Sequence, residues 1–152
     1  MELIYRATRD GATGKDFHNK CNNQGPTICL FKNDKGNIFG GYASISWENG
    51  NCDYHSASDS FLFTLTNIHG TQPTKFPNTN SNYSLHFYSN DGPTFGGGCD
   101  IYTCSNFING NSYSGFPHSY QDNLSKGYSI FSGNLNSKNY KLKELEVFKL
   151  FK

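Results

Sequence analysis

The chain has 152 residues and a net charge of +1 at neutral pH. That length suits one domain with one core. The small charge excludes the basic field that general nucleic-acid binding needs. Apolar content is modest, but 13 Phe and 10 Tyr supply large rings with which few residues can fill a core. Abundant Asn, Ser and Gly favour turns and short strands over long helices. The one cluster of cations, Lys138, Lys141, Lys143, Lys149 and Lys152, is interrupted by Glu144 and Glu146 and reads as a solvated face. No apolar run approaches bilayer length, so no membrane span is expected. Met1 to Arg6 has no signal-peptide pattern. Five cysteines, an odd number, then read as reduced thiols in the cytoplasm.

Leu3 to Ala7 reads as a first strand, broken at Asp10-Gly11. Thr13 followed by Asp16 fits a capping box, and the short helix it opens carries Phe17 and Cys21 on one face. Gly25-Pro26 ends that stretch. Thr27 to Lys32 is a compact apolar run of strand length, with Ile38 to Trp47 as its hairpin partner across the turn Asn33 to Asn37. The Gly40-Gly41 pair inside the partner marks a bulge or a close backbone approach. Glu48 to Ser58 reads as a polar loop. Ser60 to Asn67 is the cleanest strand, with Phe61, Phe63 and Leu65 on one side.

Ile68 to Asn82 is turn chemistry, and Tyr83 to Tyr88 is another strand. Asn90 to Asp100 packs a turn signal, Phe95, three successive glycines and an acid into eleven residues. A strand from Ile101 to Cys104 follows. Ser105 to Lys126 lacks a clear pattern and reads as surface loop. Gly127 to Phe131 and Leu142 to Phe151 close the chain. The last run fits helical spacing at Leu142, Leu145 and Phe148 and strand spacing at Leu145 and Val147, so periodicity leaves it open. The tally is eight to ten short strands and one or two helices. The fold class is mainly β, a two-layer antiparallel β-sandwich with one or two short peripheral helices.

Several chemistries can be tested against these residues. A thiol nucleophile needs an imidazole beside it, and the closest local pairs are Cys52 with His55 and Cys21 with His18. Cys29, Cys99 and Cys104 read instead as small apolar core residues. Cys52, in a polar stretch, is the best candidate for a redox-reactive thiol. His18-x-x-Cys21, Cys52-x-x-His55 and Cys99-x4-Cys104 have tolerable zinc spacings, but no C-x-x-C pair occurs. The glycine run lacks the lysine, the hydroxyl and the following helix of a phosphate loop. It reads as a bend where sheets pack closely, with Phe95 in the core and Gly97→Val costing stability first. Asp91, Asp100 and the Asn-rich loops suggest calcium only weakly, since no EF-hand pattern is present. No catalytic residue and no cofactor is assigned.

Taken together and in order, several stretches resemble the TLDc domain, the domain of the oxidation-resistance family. Leu3 to Gly11 is similar to its opening strand and D-G turn. Asp16 to Cys21 with Gly25 to Thr27 is similar to its first helix and the entry to the next strand. Ile38-Phe39-Gly40-Gly41-Tyr42 with Trp47, Asp59 to Leu65, Gly92-Pro93-Thr94-Phe95-Gly96-Gly97-Gly98-Cys99-Asp100-Ile101, and Glu144-Leu145-Glu146-Val147-Phe148 resemble further family segments. The motif positions are Asp10, Gly11, Gly40, Gly41, Gly92, Pro93, Gly96, Gly97, Gly98, Asp100, Glu144 and Glu146, with hydrogen bonding and backbone geometry as their expected roles. The resemblance implies one TLDc-like domain over 1–152, excised from the C-terminus of a longer protein. It also implies a cytoplasmic, monomeric interaction module in protection from oxidative stress, which binds and regulates the vacuolar proton-pumping ATPase through its peripheral subunits. The expected contact surface is Ser105 to Lys126 with Glu48 to Ser58. The rivals are a cysteine-based redox protein or hydrolase, and a calcium- or carbohydrate-binding sandwich.

Overall fold

Alternation decides which face each strand buries, and the computed structural model, which describes residues 1–151, shows where those faces meet. The elements are β1 (Glu2–Arg6), α1 (Ala7–Asp10), α2 (Gly14–Cys21), β2 (Thr27–Asn33), β3 (Ile38–Ala43), β4 (Asn51–His55), β5 (Phe61–Thr66) and β6 (Thr74–Pro77). They continue with β7 (Leu85–Tyr88), β8 (Thr94–Phe95), β9 (Ser112–Tyr113), α3 (Ser129–Ser132), β10 (Asn139–Tyr140) and β11 (Leu142–Lys149). One sheet runs β1-β11-β2-β3-β5-β6, antiparallel throughout. The facing layer is β4-β7-β8. Single bridges from Phe95 to Ile101 and from Tyr102 to Tyr113 carry that layer on to β9 and β10. The protein is an antiparallel β-sandwich with three short helices at its margins.

Aromatic rings fill the space between the layers. Phe31 stacks on Phe39 at 5.2 Å, and Trp47 packs against Phe17, Phe87 and Phe95. Phe39, Phe76 and Phe116 all contact Phe131. Each fully buried ring contributes about 2–3 kcal/mol of transfer free energy. The edge-to-face pairs add about 0.5–1.5 kcal/mol each. Trp47 also donates its indole N–H to Thr27 Oγ1 at 3.0 Å, so its polar atom is satisfied in the core. Helix α2 begins as the sequence predicts: Thr13 Oγ1 accepts from the Asp16 N–H at 3.2 Å and caps the first turn.

Several elements differ from the sequence reading. Glu48 to Ser58 contains strand β4, and the turn-rich stretch after Asn67 contains the edge strand β6. Ile101 to Cys104 forms only isolated bridges, not a strand. Gly127 to Phe131 leads into a single helical turn, α3, whose carbonyls at Ile130, Phe131 and Ser132 are capped by the side chains of Asn33 and Asn37. β11 is a strand bonded on both edges, and a register shift between Leu142 and Glu144 explains its helix-like spacing. The bulge lets Leu142 and Leu145 face the core although they are three apart.

The glycines earn their places by contact. A Cβ on Gly41 would lie 2.5 Å from the Phe95 ring, which packs directly on that backbone. A Cβ on Gly96 would lie 1.8 Å from Asp100 Oδ1, and its φ of +90° already disfavours any side chain. At Gly97 the nearest atoms are 3.1 Å away and belong to side chains, so the constraint sits at Gly96 and Gly41 rather than at Gly97. Gly41→Ala and Gly96→Ala should each lower unfolding stability in urea by about 2–3 kcal/mol, and Gly97→Ala by under about 1 kcal/mol. Equal losses at Gly96 and Gly97 would contradict this assignment.

Candidate functional site

Burial separates the thiols from the imidazoles. Cys21 faces the core from α2, and its thiol is pushed up by burial and by neighbouring Cys29. Cys29, on the inner face of β2, is likewise pushed up by burial. His18, three residues before Cys21, points elsewhere. Its Nδ1 meets Asn22 Oδ1 at 2.7 Å and its Nε2 meets the Tyr88 carbonyl at 3.0 Å, which ties α2 to β7. Cys52 is exposed on β4 with φ of +63°, at the register shift between Asn51 and Asp53. His55 instead stacks on Phe87 at 4.1 Å, with its Nε2 3.7 Å from Asp53 Oδ2. Cys104 donates to the Asn106 carbonyl. Cys99 is half-buried beside Tyr113, and burial raises its pKa. Among the described residues no thiol hydrogen-bonds an imidazole, and no three His, Cys, Asp or Glu residues gather as a metal set.

One pair was invisible in the sequence. His69 Nε2 lies 2.8 Å from Ser129 Oγ, a separation that suits a nucleophile and its base. Yet Ser129 is 4 % exposed and its hydroxyl donates to the Lys126 carbonyl. The pair ties the loop after β5 to α3. No local spacing signals it, because sixty residues separate the partners.

The motif acids bond to their own backbone and neighbours. Asp100 is fully buried, and its carboxylate accepts the N–H groups of His118, Ser119 and Tyr120 at 2.7–3.2 Å. Burial raises its pKa, and those N–H bonds oppose the rise. Asp10 accepts from the Arg6 N–H and pairs with Arg9, which holds its carboxyl down to about 2. Glu144 accepts from Thr8, and Glu146 pairs with Arg6 at 2.6 Å. Gly11 accepts the hydroxyl of buried Tyr5. Pro93 accepts from Thr103 Oγ1, and a Cβ on Gly92 would strike Phe107 and Thr103. Gly98 lies against His118, and Gly40 lies between the Cys29 carbonyl and the Phe63 ring.

The stretch Ser105 to Lys126, expected with Glu48 to Ser58 as contact surface, alternates exposed residues with residues that enter the core. Phe107, Phe116 and Tyr120 are buried, and Ser112, Ser114 and Ser119 are fully so. Solvent also meets the outer sides of the two layers. On the large sheet one register row reads Leu3, Phe148, Ile28, Tyr42, Phe61, Pro77, crossing all six strands. Leu30, Ile38 and Phe63 flank it on β2, β3 and β5, and Leu65 is 42 % exposed. A depression of about 280 Å³ opens there, with Leu30 and Ile38 in it and Arg6, Lys32, Glu144 and Glu146 at its rim. Solvent-facing antiparallel sheets ordinarily turn polar on that side.

On the small sheet the outer register row is Tyr54, His86 and Thr94, of which Thr94 is fully covered, with Tyr102 and Tyr113 beyond. Asp91 sits against it, 8 % exposed. Its pKa is raised by burial, opposed by the Tyr102 hydroxyl and by His86 and His18. That of His86 is lowered by burial and lifted back by Asp91 and Asp53.

The model of the TLDc domain family matches residues 1–151. The chain therefore belongs to the TLDc domain family, and the match covers the sandwich from β1 to β11. No curated protein matches the chain. No helix among the described residues is long and apolar enough to cross a membrane.

Two outcomes follow. In the native protein one thiol, Cys52, should react fast with a maleimide, and Cys52→Ser should abolish that phase, while Cys21 and Cys29 react only on unfolding. A native fast phase that survives Cys52→Ser would show the burial pattern to be wrong. The raised Asp91 pKa means that the folded state binds its proton more tightly than the unfolded state. Its contribution to stability is therefore present below the ordinary aspartate range and is lost as pH rises through the raised folded value. Asp91→Asn should match the parent in melting temperature at low pH and exceed it increasingly as pH rises toward 7.

Proposed function

We propose that this chain is a TLDc-type protein-interaction module, acting in oxidative-stress protection by docking on peripheral subunits of the vacuolar proton-pumping ATPase. The observation that carries the reading is the apolar outer face of the six-stranded sheet. A sandwich needs only its inner faces apolar to fold. An uncovered face bearing Leu30, Ile38, Phe63 and Leu65 is therefore free to bury against another protein. The pump is the partner that the family resemblance implies. The ring bonds of His18 and the stacking of His55 on Phe87, neither made with a thiol, favour this reading over a cysteine enzyme. A cytoplasmic setting suits it, since five free thiols persist in reducing surroundings.

The test is a binding titration of the purified chain against purified peripheral pump subunits. Ile38→Glu and Leu65→Glu point outward and should keep the fold. Together they should weaken binding at least tenfold, whereas changes at Asn106 and Gln121 should leave it unaltered. Absence of a complex with the parent chain would sink the pump as partner. Binding that ignores both outward substitutions would move the contact off this face.

A further inference from the structure

We propose that the outer face of the small sheet is a second docking site, one for a cationic peptide segment whose lysine or arginine side chain seats against Asp91 between tyrosine rings. This goes beyond the reading above: it uses the opposite side of the sandwich and a different chemistry.

Three independent observations converge there. The first is the Asp91 carboxylate. It is 8 % exposed, yet its only side-chain hydrogen bond comes from Tyr102 Oη at the long distance of 3.4 Å. One carboxylate oxygen therefore has no protein donor among the described residues. Beside it, His86 Nδ1 is buried without any partner. The free Asp91 oxygen is not sealed from water, unlike the carboxylate of Asp100, which is fully buried and saturated with backbone donors, so an incoming cation can reach it.

The second is the distribution of charge. Between Gly36 and Ser125 the sequence holds one cation, Lys75, against Glu48, Asp53, Asp59, Asp91, Asp100 and Asp122. Lys75 lies on the other sheet, with its ammonium over the Phe61 ring at 4.1 Å. No lysine or arginine of the described residues pairs with Asp91.

The third is the aromatic surround. The Tyr54 ring packs on His86 at 4.8 Å and on Tyr83 at 5.0 Å, and Tyr102 packs on Tyr113 at 4.8 Å. Tyr54 and Tyr83 are 40 % and 41 % exposed. Ring faces attract cations, and tyrosine is the residue type that interfaces favour. A carboxylate with one long hydrogen bond, no ion-pair partner and phenol rings beside it recognises an ammonium or guanidinium group. A turn needs none of this: an asparagine at position 91 would make the same backbone bond to Tyr88.

The experiment titrates the full chain, labelled with nitrogen-15, with a ten-residue polylysine peptide, and with a ten-residue polyglutamate peptide as control. Polylysine should give saturable shifts at Tyr54, His86, Asp91, Tyr102 and Tyr113, and polyglutamate none. Asp91→Asn should weaken polylysine binding at least tenfold. Asp59→Asn, an exposed acid elsewhere, should change it by less than twofold. Tyr102→Phe keeps the ring and removes the competing hydroxyl, so it should bind as tightly or more so. The proposal is overturned if polylysine does not bind, if its shifts lie elsewhere, or if Asp91→Asn behaves as Asp59→Asn does. A loss in Tyr102→Phe equal to that in Asp91→Asn would also overturn it. None of these results bears on docking through Ile38 and Leu65, whose loss is read with pump subunits.

Discussion

Phe95 stands over Gly41, and the spacing of the two sheets is set at that contact. Neither partner can change alone. A side chain at position 41 would meet the ring at 2.5 Å, and a smaller residue at 95 would open a cavity under Trp47 and Tyr120, which pack on the same ring. The two residues come from separate motif segments, Ile38 to Tyr42 and Gly92 to Ile101. Their joint presence is thus a single packing requirement written twice in the sequence. The rest of the core radiates from it. Trp47 passes the contact to Phe17 on α2 and to Phe87 on β7, so helix and small sheet are held by one indole.

Asp100 does for the backbone what Phe95 does for the core. Three consecutive N–H groups, from His118 to Tyr120, converge on its carboxylate and have no other partner in a regular element. The chain from Ser105 to Lys126 can therefore be irregular and still fixed. Buried backbone donors must be satisfied, and here a side chain supplies the acceptors that a strand would have supplied. Gly96 turns the backbone at φ of +90° to make room for that carboxylate. Gly92, Phe95, Gly96 and Asp100 are consequently scaffold, used on each other and on the core.

Much of the sandwich was legible because alternation is local. Phe61-Leu62-Phe63-Thr64 shows a strand without reference to anything distant. It does not show which side is inside, and here the smaller residues, Leu62 and Thr64, are the buried ones. The two Phe rings remain on the outer face, which is why that face could not be read from hydrophobicity alone. β11 stayed ambiguous because a bulge imitates helical spacing. β4 was missed because its residues are exposed along nearly its whole length, so no pattern marks it. The sites fared worse. Cys21 and His18 are both buried on one short helix, but the His18 ring is bonded to Asn22 and Tyr88, and His69 meets Ser129 across the fold. Proximity of that kind is a product of topology, not of spacing.

The two layers end with opposite chemistries on their outer sides, and this follows from where the charges lie in the chain. Arg6, Lys32, Glu144 and Glu146 all belong to β1, β2 and β11, and Arg6 is neutralised by Glu146. The large sheet can thus offer an apolar surface whose rim carries no net field. The strands β4, β7 and β8 of the small sheet carry Asp53, Tyr54, His86 and Tyr88 but no lysine or arginine, and Lys138 and Lys141 flank β10 at the far end of that layer. That face is polar and aromatic around Tyr54 and His86. A sandwich core about 10 Å thick and the side chains of both layers separate the two faces. The two proposed contacts therefore use surfaces of different chemistry, and a substitution on one face can be read without disturbing the other.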